Sequence, residues 1–314
     1  MADQTALRAL LPEGADVDDA VLKGLAGNGG SVTQTKTQPD NDGATGTPLW
    51  LAVQGGHLEV VQWLVGNGGS VSATQPAEGG VTPLWLAAQE GHLSVVQWLA
   101  GNGGSVTQPA NGGYTPLWIA AQEGHLEVVQ WLAGNGGSGT EPDADGYTPI
   151  LIAAQEGHLT VVQWLAKNGG SVVQPSDGGH TPLWIAAQEG HLSVVQWLAD
   201  NGGSVSQPDN GGHTPLMLAA WNGHLEMVQW LAGHGASVTA PTKNGGTALS
   251  IAAQEGHLEV VQWLAGNGGS VTPQNGGADS KKTTGEETVR TRLRATTTGL
   301  TGLHRGLPVL PSSP

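Results

Sequence analysis

The chain has 314 residues, with 26 acidic against 11 basic side chains for a formal net charge of −15, and it contains 12 tryptophans but no phenylalanine and no cysteine. The missing thiols exclude disulfides, thiolate catalysis and cysteine metal sites, and they fit a reducing compartment. No run approaches the roughly 18 apolar residues of a membrane span, and Met1-Ala2-Asp3-Gln4 lacks the charged-then-apolar pattern of a secretory leader, so a cytoplasmic or nuclear location is expected.

In chain order, Ala20–Val32 reproduces the second half of a unit that recurs downstream, with Gly24 where later copies place Trp. Upstream, Leu7, Leu10 and Leu11 stand at helical spacing. Residues 1–32 are therefore expected to form an N-terminal capping half-repeat that covers the first apolar face of the downstream units. Residues 33–46 read as a polar linker.

From Thr47 onward the chain is built of near-copies. The opening threonines are Thr47, Thr82, Thr115, Thr148, Thr181, Thr214 and Thr247, one step of 35 residues and then five of 33. A period in that range signals a stacked array. Thr82–Ala100 and Thr181–Ala199 differ only at Leu86 against Ile185, which points to tandem duplication.

Within the unit that starts at Thr82, Thr is a natural N-cap and Pro83 suits the first helical position, where a missing N–H costs nothing. Leu84, Ala87 and Ala88 share one face of this first helix, and Gly91 stops it. Leu93, Val96, Leu99 and Ala100 recur at three- and four-residue spacing and predict a second helix that ends at Asn102-Gly103-Gly104. Connectors such as the SVTQPANGGY segment before Thr115 are too short and too rich in Gly and Pro for a helix, and read as turns or hairpins.

Thr-Pro-Leu-x-Leu/Ile-Ala-Ala, Gly-His-Leu and Val-Val-x-x-Leu, repeated over residues 47–272 in seven copies, resemble the ankyrin repeat family. The resemblance implies an all-α solenoid of stacked helix-turn-helix units with projecting hairpin loops. It also implies a protein-binding role, with partners held by the hairpin tips and the exposed part of the first helix on a concave face. Where the family usually has His after Thr-Pro-Leu, this chain has Trp50, Trp85, Trp118 and Trp184, then Leu151, Met217 and Ser250. An indole only donates, so packing of large aromatic surfaces is expected to replace part of the family's hydrogen bonding between units.

Residues 273–314 are rich in Thr, Gly, Ser and Pro without apolar periodicity, and are expected to be a disordered basic tail. Six of the basic residues and three of the acidic ones lie beyond position 272, leaving five against 23 before it: +3 for the tail and −18 for the array. Such an array repels phosphate backbones, which sets nucleic acid aside. Its charge either keeps a repetitive chain soluble or faces a basic partner.

Two columns invite chemistry. His57, His92, His125, His158, His191, His224 and His257 recur once per unit. Packed helices lie about 8–10 Å apart, far beyond the roughly 2 Å of a zinc ligand, so the column is read as structural; the resemblance implies that each His braces the turn between helices. Trp63, Trp98, Trp131, Trp164, Trp197, Trp230 and Trp263 recur in the second helix and are read as packing between units rather than a stacking platform. Gly134–Gly139 matches the G-x-G-x-x-G spacing but follows a helix, where a nucleotide fingerprint needs a strand before it and a helix after it. No catalytic or metal-ligating set emerges, and no cofactor or small-molecule substrate is called for.

The partner surface is expected at two places: the Gln-Glu pairs before each Gly-His, and the residue before each Thr. Gln-Glu is nearly uniform, an acidic amide stripe. Variation falls on Tyr114, Tyr147, His180 and His213, and on Trp221-Asn222 in place of Gln-Glu. The aromatics are expected to project as anchors, rimmed by Glu123, Glu156 and Glu189. A protein partner with a basic segment, a spacer or fragment of a larger ankyrin-containing protein with no partner of its own, and a fold-back of Arg290, Arg292 and Arg294 onto the Glu stripe are the competing readings.

Overall fold

The computed structural model describes residues 47–71 and 79–270. The expected cap (1–32), linker (33–46) and tail (273–314) lie outside the described residues. Fourteen helices and no strands occur among the described residues, in seven pairs. They are α1 (Pro48–Gln54) with α2 (Leu58–Gly66), α3 (Pro83–Gln89) with α4 (Leu93–Gly101), α5 (Pro116–Gln122) with α6 (Leu126–Gly134), and α7 (Pro149–Gln155) with α8 (Leu159–Lys167). Next come α9 (Pro182–Glu189) with α10 (Leu192–Asp200), α11 (Pro215–Trp221) with α12 (Leu225–Gly233), and α13 (Ala248–Glu255) with α14 (Leu258–Gly266).

Six of the seven first helices start where a Thr-Pro pair dictates, and α13 starts after Thr247 with Ala248 in place of Pro. Thr115 Oγ1 accepts from the Trp118 backbone N–H at 3.1 Å, satisfying an amide that has no partner inside the helix, while Pro116 occupies the first position. The helix runs two turns and stops at a left-handed glycine. Gly91 shows why only glycine serves: φ is +76°, and a Cβ there would come within 2.6 Å of His125 in the next unit. Six of the seven second helices end on Asn, and α12 ends on His234; Asn102 Nδ2 donates to Trp98 O at 2.8 Å, and the Gly104 amide donates back to Leu99 O at 2.8 Å. Asn135 and Gly137 close α6 in this way, so the G-x-G-x-x-G spacing there is a helix stop.

Stacking buries one continuous core. In the unit from Thr82, Leu84, Trp85, Leu86, Ala87 and Ala88 of α3 and Val95, Val96 and Leu99 of α4 are all buried. First helices of neighbouring units pack more closely than second helices do, because the Ala-Ala pairs allow close approach on that side. The Trp63-type indoles of the second helices are half-buried against this core.

The connectors are tight hairpin turns that form no regular strands. The Asp143 amide donates to Tyr147 O at 3.0 Å to close one turn, and the Ala144 amide donates to Gly112 O at 2.8 Å to tie it to the turn before. The tips thus form a hydrogen-bonded row beside the first helices.

Candidate partner-binding surface

Hairpin tips and the ends of the first helices share one side of the stack. Four relationships, within units and across their boundaries, shape it.

The first is an indole bond. Trp85 Nε1 donates to Tyr114 O at 2.7 Å, Trp118 Nε1 to Tyr147 O at 2.8 Å and Trp184 Nε1 to His213 O at 2.8 Å. The expectation that packing would stand in for these links is corrected in part: the indole is buried and also supplies a hydrogen bond between units, because each facing carbonyl accepts the amide that closes its own hairpin with one lone pair and the indole N–H with the other.

The second is the histidine column. His92 Nε2 meets Gln54 O at 2.8 Å, His125 meets Gln89 O and His158 meets Gln122 O at 2.9 Å, and His257 meets Trp221 O at 2.7 Å. Each of these imidazoles satisfies a carbonyl at the end of the preceding unit's first helix, so the brace runs between units as well as beside the turn. Burial lowers the pKa of His125 and His158 and favours the neutral form of these two imidazoles. Among the described residues no group of three His, Cys, Asp or Glu side chains could hold a metal ion.

The third relationship corrects the aromatic anchors. Tyr147 is only 4% exposed; its hydroxyl lies 2.7 Å from His180 Nδ1. His180 in turn stacks on Trp184 with ring centroids 4.3 Å apart. Tyr114 tilts onto Trp118 at 4.7 Å, and His213 Nδ1 pairs with Asp209 at 3.0 Å. Tyr114 and His180 therefore turn inward onto the indole of their own unit, whereas Tyr147 and His213, whose units carry Leu151 and Met217 at that position, meet His180 and Asp209. Tyr147 is a support rather than a projecting anchor, whereas Tyr114, His180 and His213 remain half-buried. Trp221 is half-buried as well, and exposed Asn222 donates to Gln188 O at 3.1 Å.

The fourth is the Gln-Glu stripe, which the structure splits into two layers. Gln89, Gln122 and Gln155 are 5–7% exposed, while Glu156 is exposed and Glu123 and Glu189 are half-exposed. Gln155 Nε2 donates to Glu156 at 3.1 Å and Gln188 Nε2 to Glu189 at 2.8 Å, so amide and carboxylate lie side by side. The buried layer is what sequence reasoning missed, since alternation of a polar pair gives no sign of which member packs beneath.

The sequence profile described as ankyrin repeats (3 copies) matches the chain in overlapping segments, residues 3–110, 49–142, 87–177, 117–209, 168–242 and 206–275. The chain belongs to the ankyrin repeat family. No curated protein matches the chain. Ankyrin repeats are generally protein–protein interaction modules, and the family is generally non-enzymatic. In this ankyrin array the position after Thr-Pro-Leu is filled by Trp in four units, and in three of them the indole bond links one unit to the next. None of the helices among the described residues is long and apolar enough to cross a membrane.

Proposed function

We propose that this chain is a non-catalytic ankyrin module that holds a protein partner with a basic segment along the side formed by its first helices and hairpin tips. The observation that carries the reading is the run of Glu90, Glu123, Glu156 and Glu189 at the ends of four consecutive first helices, in a region whose formal charge is −18. A carboxylate recurring at one structural position on successive units presents a line of negative potential, which favours a basic chain and disfavours nucleic acid and anionic membrane surfaces. Tyr114, His180, His213, Trp221 and Asn222 border that line from the tips and from α11, with Tyr147 supporting His180 from below. A reducing, cytoplasmic setting fits a chain without cysteine.

Affinity capture from cell extract tests the reading, comparing the full chain with a variant carrying Glu123→Gln, Glu156→Gln and Glu189→Gln, matched for far-UV circular dichroism. A protein retained by the first and lost by the second supports it. Equal capture by both, or by neither, overturns it; capture by neither favours the spacer.

A further inference from the structure

The stripe holds an imbalance of hydrogen bonding that acidity alone does not explain. The side-chain carbonyls of Gln89, Gln122 and Gln188 are buried with no hydrogen-bond partner. Two of these residues, Gln89 and Gln122, are themselves more than nine-tenths buried. An unpaired buried carbonyl is a standing penalty, and three at the same position of different units is a pattern rather than an accident of packing. At Gln188 the amide nitrogen is used by Glu189 while its oxygen has no donor. The site therefore asks for hydrogen-bond donors and offers acceptors of two kinds, a neutral carbonyl beside a carboxylate.

We infer that each of the four consecutive Gln-Glu pairs from Gln89-Glu90 to Gln188-Glu189 is a subsite for one arginine side chain, and that the array takes an extended segment with arginine at every third residue. A guanidinium has five N–H donors in a planar fork and no acceptor, so it can serve a carboxylate with one edge and the adjacent Gln carbonyl with another once the amide turns outward. An ammonium matches the charge but not the planar pair of directions. Spacing fixes the register: neighbouring packed helices lie about 8–10 Å apart, and an extended chain advances about 3.3 Å per residue, so one unit corresponds to about three residues. The run is bounded. The first unit has Gly55 where the next four have Glu, and the sixth has Asn222, whose amide is taken up by Gln188 O. Four subsites then take arginines at i, i+3, i+6 and i+9. Arg290, Arg292 and Arg294 of this chain stand two apart and do not match that register.

This inference rests on the proposed basic-partner reading and is tested so that the two can fail separately. Two synthetic peptides of equal composition, with four arginines at every third or at every second position among Gly, Ser and Thr, are titrated calorimetrically into the full chain. The expected result is at least tenfold tighter binding of the every-third peptide. Gln122→Leu, which removes the unpaired side-chain carbonyl and puts an apolar group of similar size in its place, is expected to cost that peptide about tenfold while leaving the melting temperature unchanged or raised. Glu156→Gln, at an exposed position, provides a second variant expected to lose affinity without loss of fold. Equal affinity for the two peptides, or full affinity in both variants, overturns the subsite inference and leaves a merely electrostatic acidic surface. Failure of both peptides to bind overturns the subsites and the basic-partner reading together.

Discussion

The indole nitrogen of Trp118 donates to the carbonyl oxygen of Tyr147 at 2.8 Å, joining the first helix of one unit to the hairpin that opens the next. The same carbonyl also accepts the Asp143 amide that closes the hairpin. One buried ring thus sets both the distance between two units and the conformation of a binding-face turn. Trp118→Phe keeps most of the aromatic packing and removes the donor. It is expected to lower stability by about 1–3 kcal/mol, measured as a shift in urea midpoint.

Tyr147 and Tyr114 occupy equivalent positions and yet are expected to respond differently. Tyr147→Phe removes the hydroxyl that meets His180 Nδ1 and should cost about 1 kcal/mol of stability with partner affinity unchanged, because the ring lies beneath the surface. Tyr114→Ala, at a half-buried tip, should reduce affinity for the captured partner. Parallel binding isotherms and thermal melts on the two variants separate a support from a contact.

Gly91 and His125 fit one another across a unit boundary, and their coupling is measurable. Gly91→Ala imposes a side chain at φ +76° and places its Cβ within 2.6 Å of the imidazole, so a loss of about 2 kcal/mol or more is expected. Removing the ring relieves the clash but not the backbone strain. In a double-mutant cycle with His125→Ala the two losses should therefore sum to more than the loss in the double variant.

Two kinds of group set opposing pH dependences. Burial raises the Asp143 carboxyl to about 6, although the Tyr147 and Asp145 amides hydrogen-bond to it. A folded pKa above the unfolded value means that stability present at low pH is lost as pH rises from about 4 through about 6. Burial lowers the folded pKa of His125 and His158, so their contribution is present above the unfolded value of 6.5 and is lost as pH falls through the folded pKa. Asp143→Asn keeps an acceptor for both amides and removes the first dependence. At pH 7 this variant should be more stable than the parent by up to about 3 kcal/mol, and its stability should climb with pH between 5 and 7 more steeply than the parent's in chemical denaturation.

Much of the candidate site could be read from residues alone, but its depth could not. The Gln-Glu pairs were visible as a recurring stripe, and their place at the end of a short helix followed from the Gly-His beyond them. That Gln89 and Gln122 lie under the surface while Glu156 lies on it depends on how closely the neighbouring first helix approaches. Tyr147 and Tyr114 are the same residue type at the same position, and the groups they meet distinguish them, His180 of the following unit for one and Trp118 of its own unit for the other.

The sequence by itself determined the all-α class, the unit length and the start and stop of each helix, because Thr caps, Pro at the first position and glycine stops act within about four residues along the chain. The tertiary structure alone decided that Trp118 serves a carbonyl 29 residues away, that His125 serves one 36 residues away, and which member of each polar pair is buried. Those outcomes depend on stacking one unit against the next, and the local rules that shape a single unit are the same whether or not a neighbour is present.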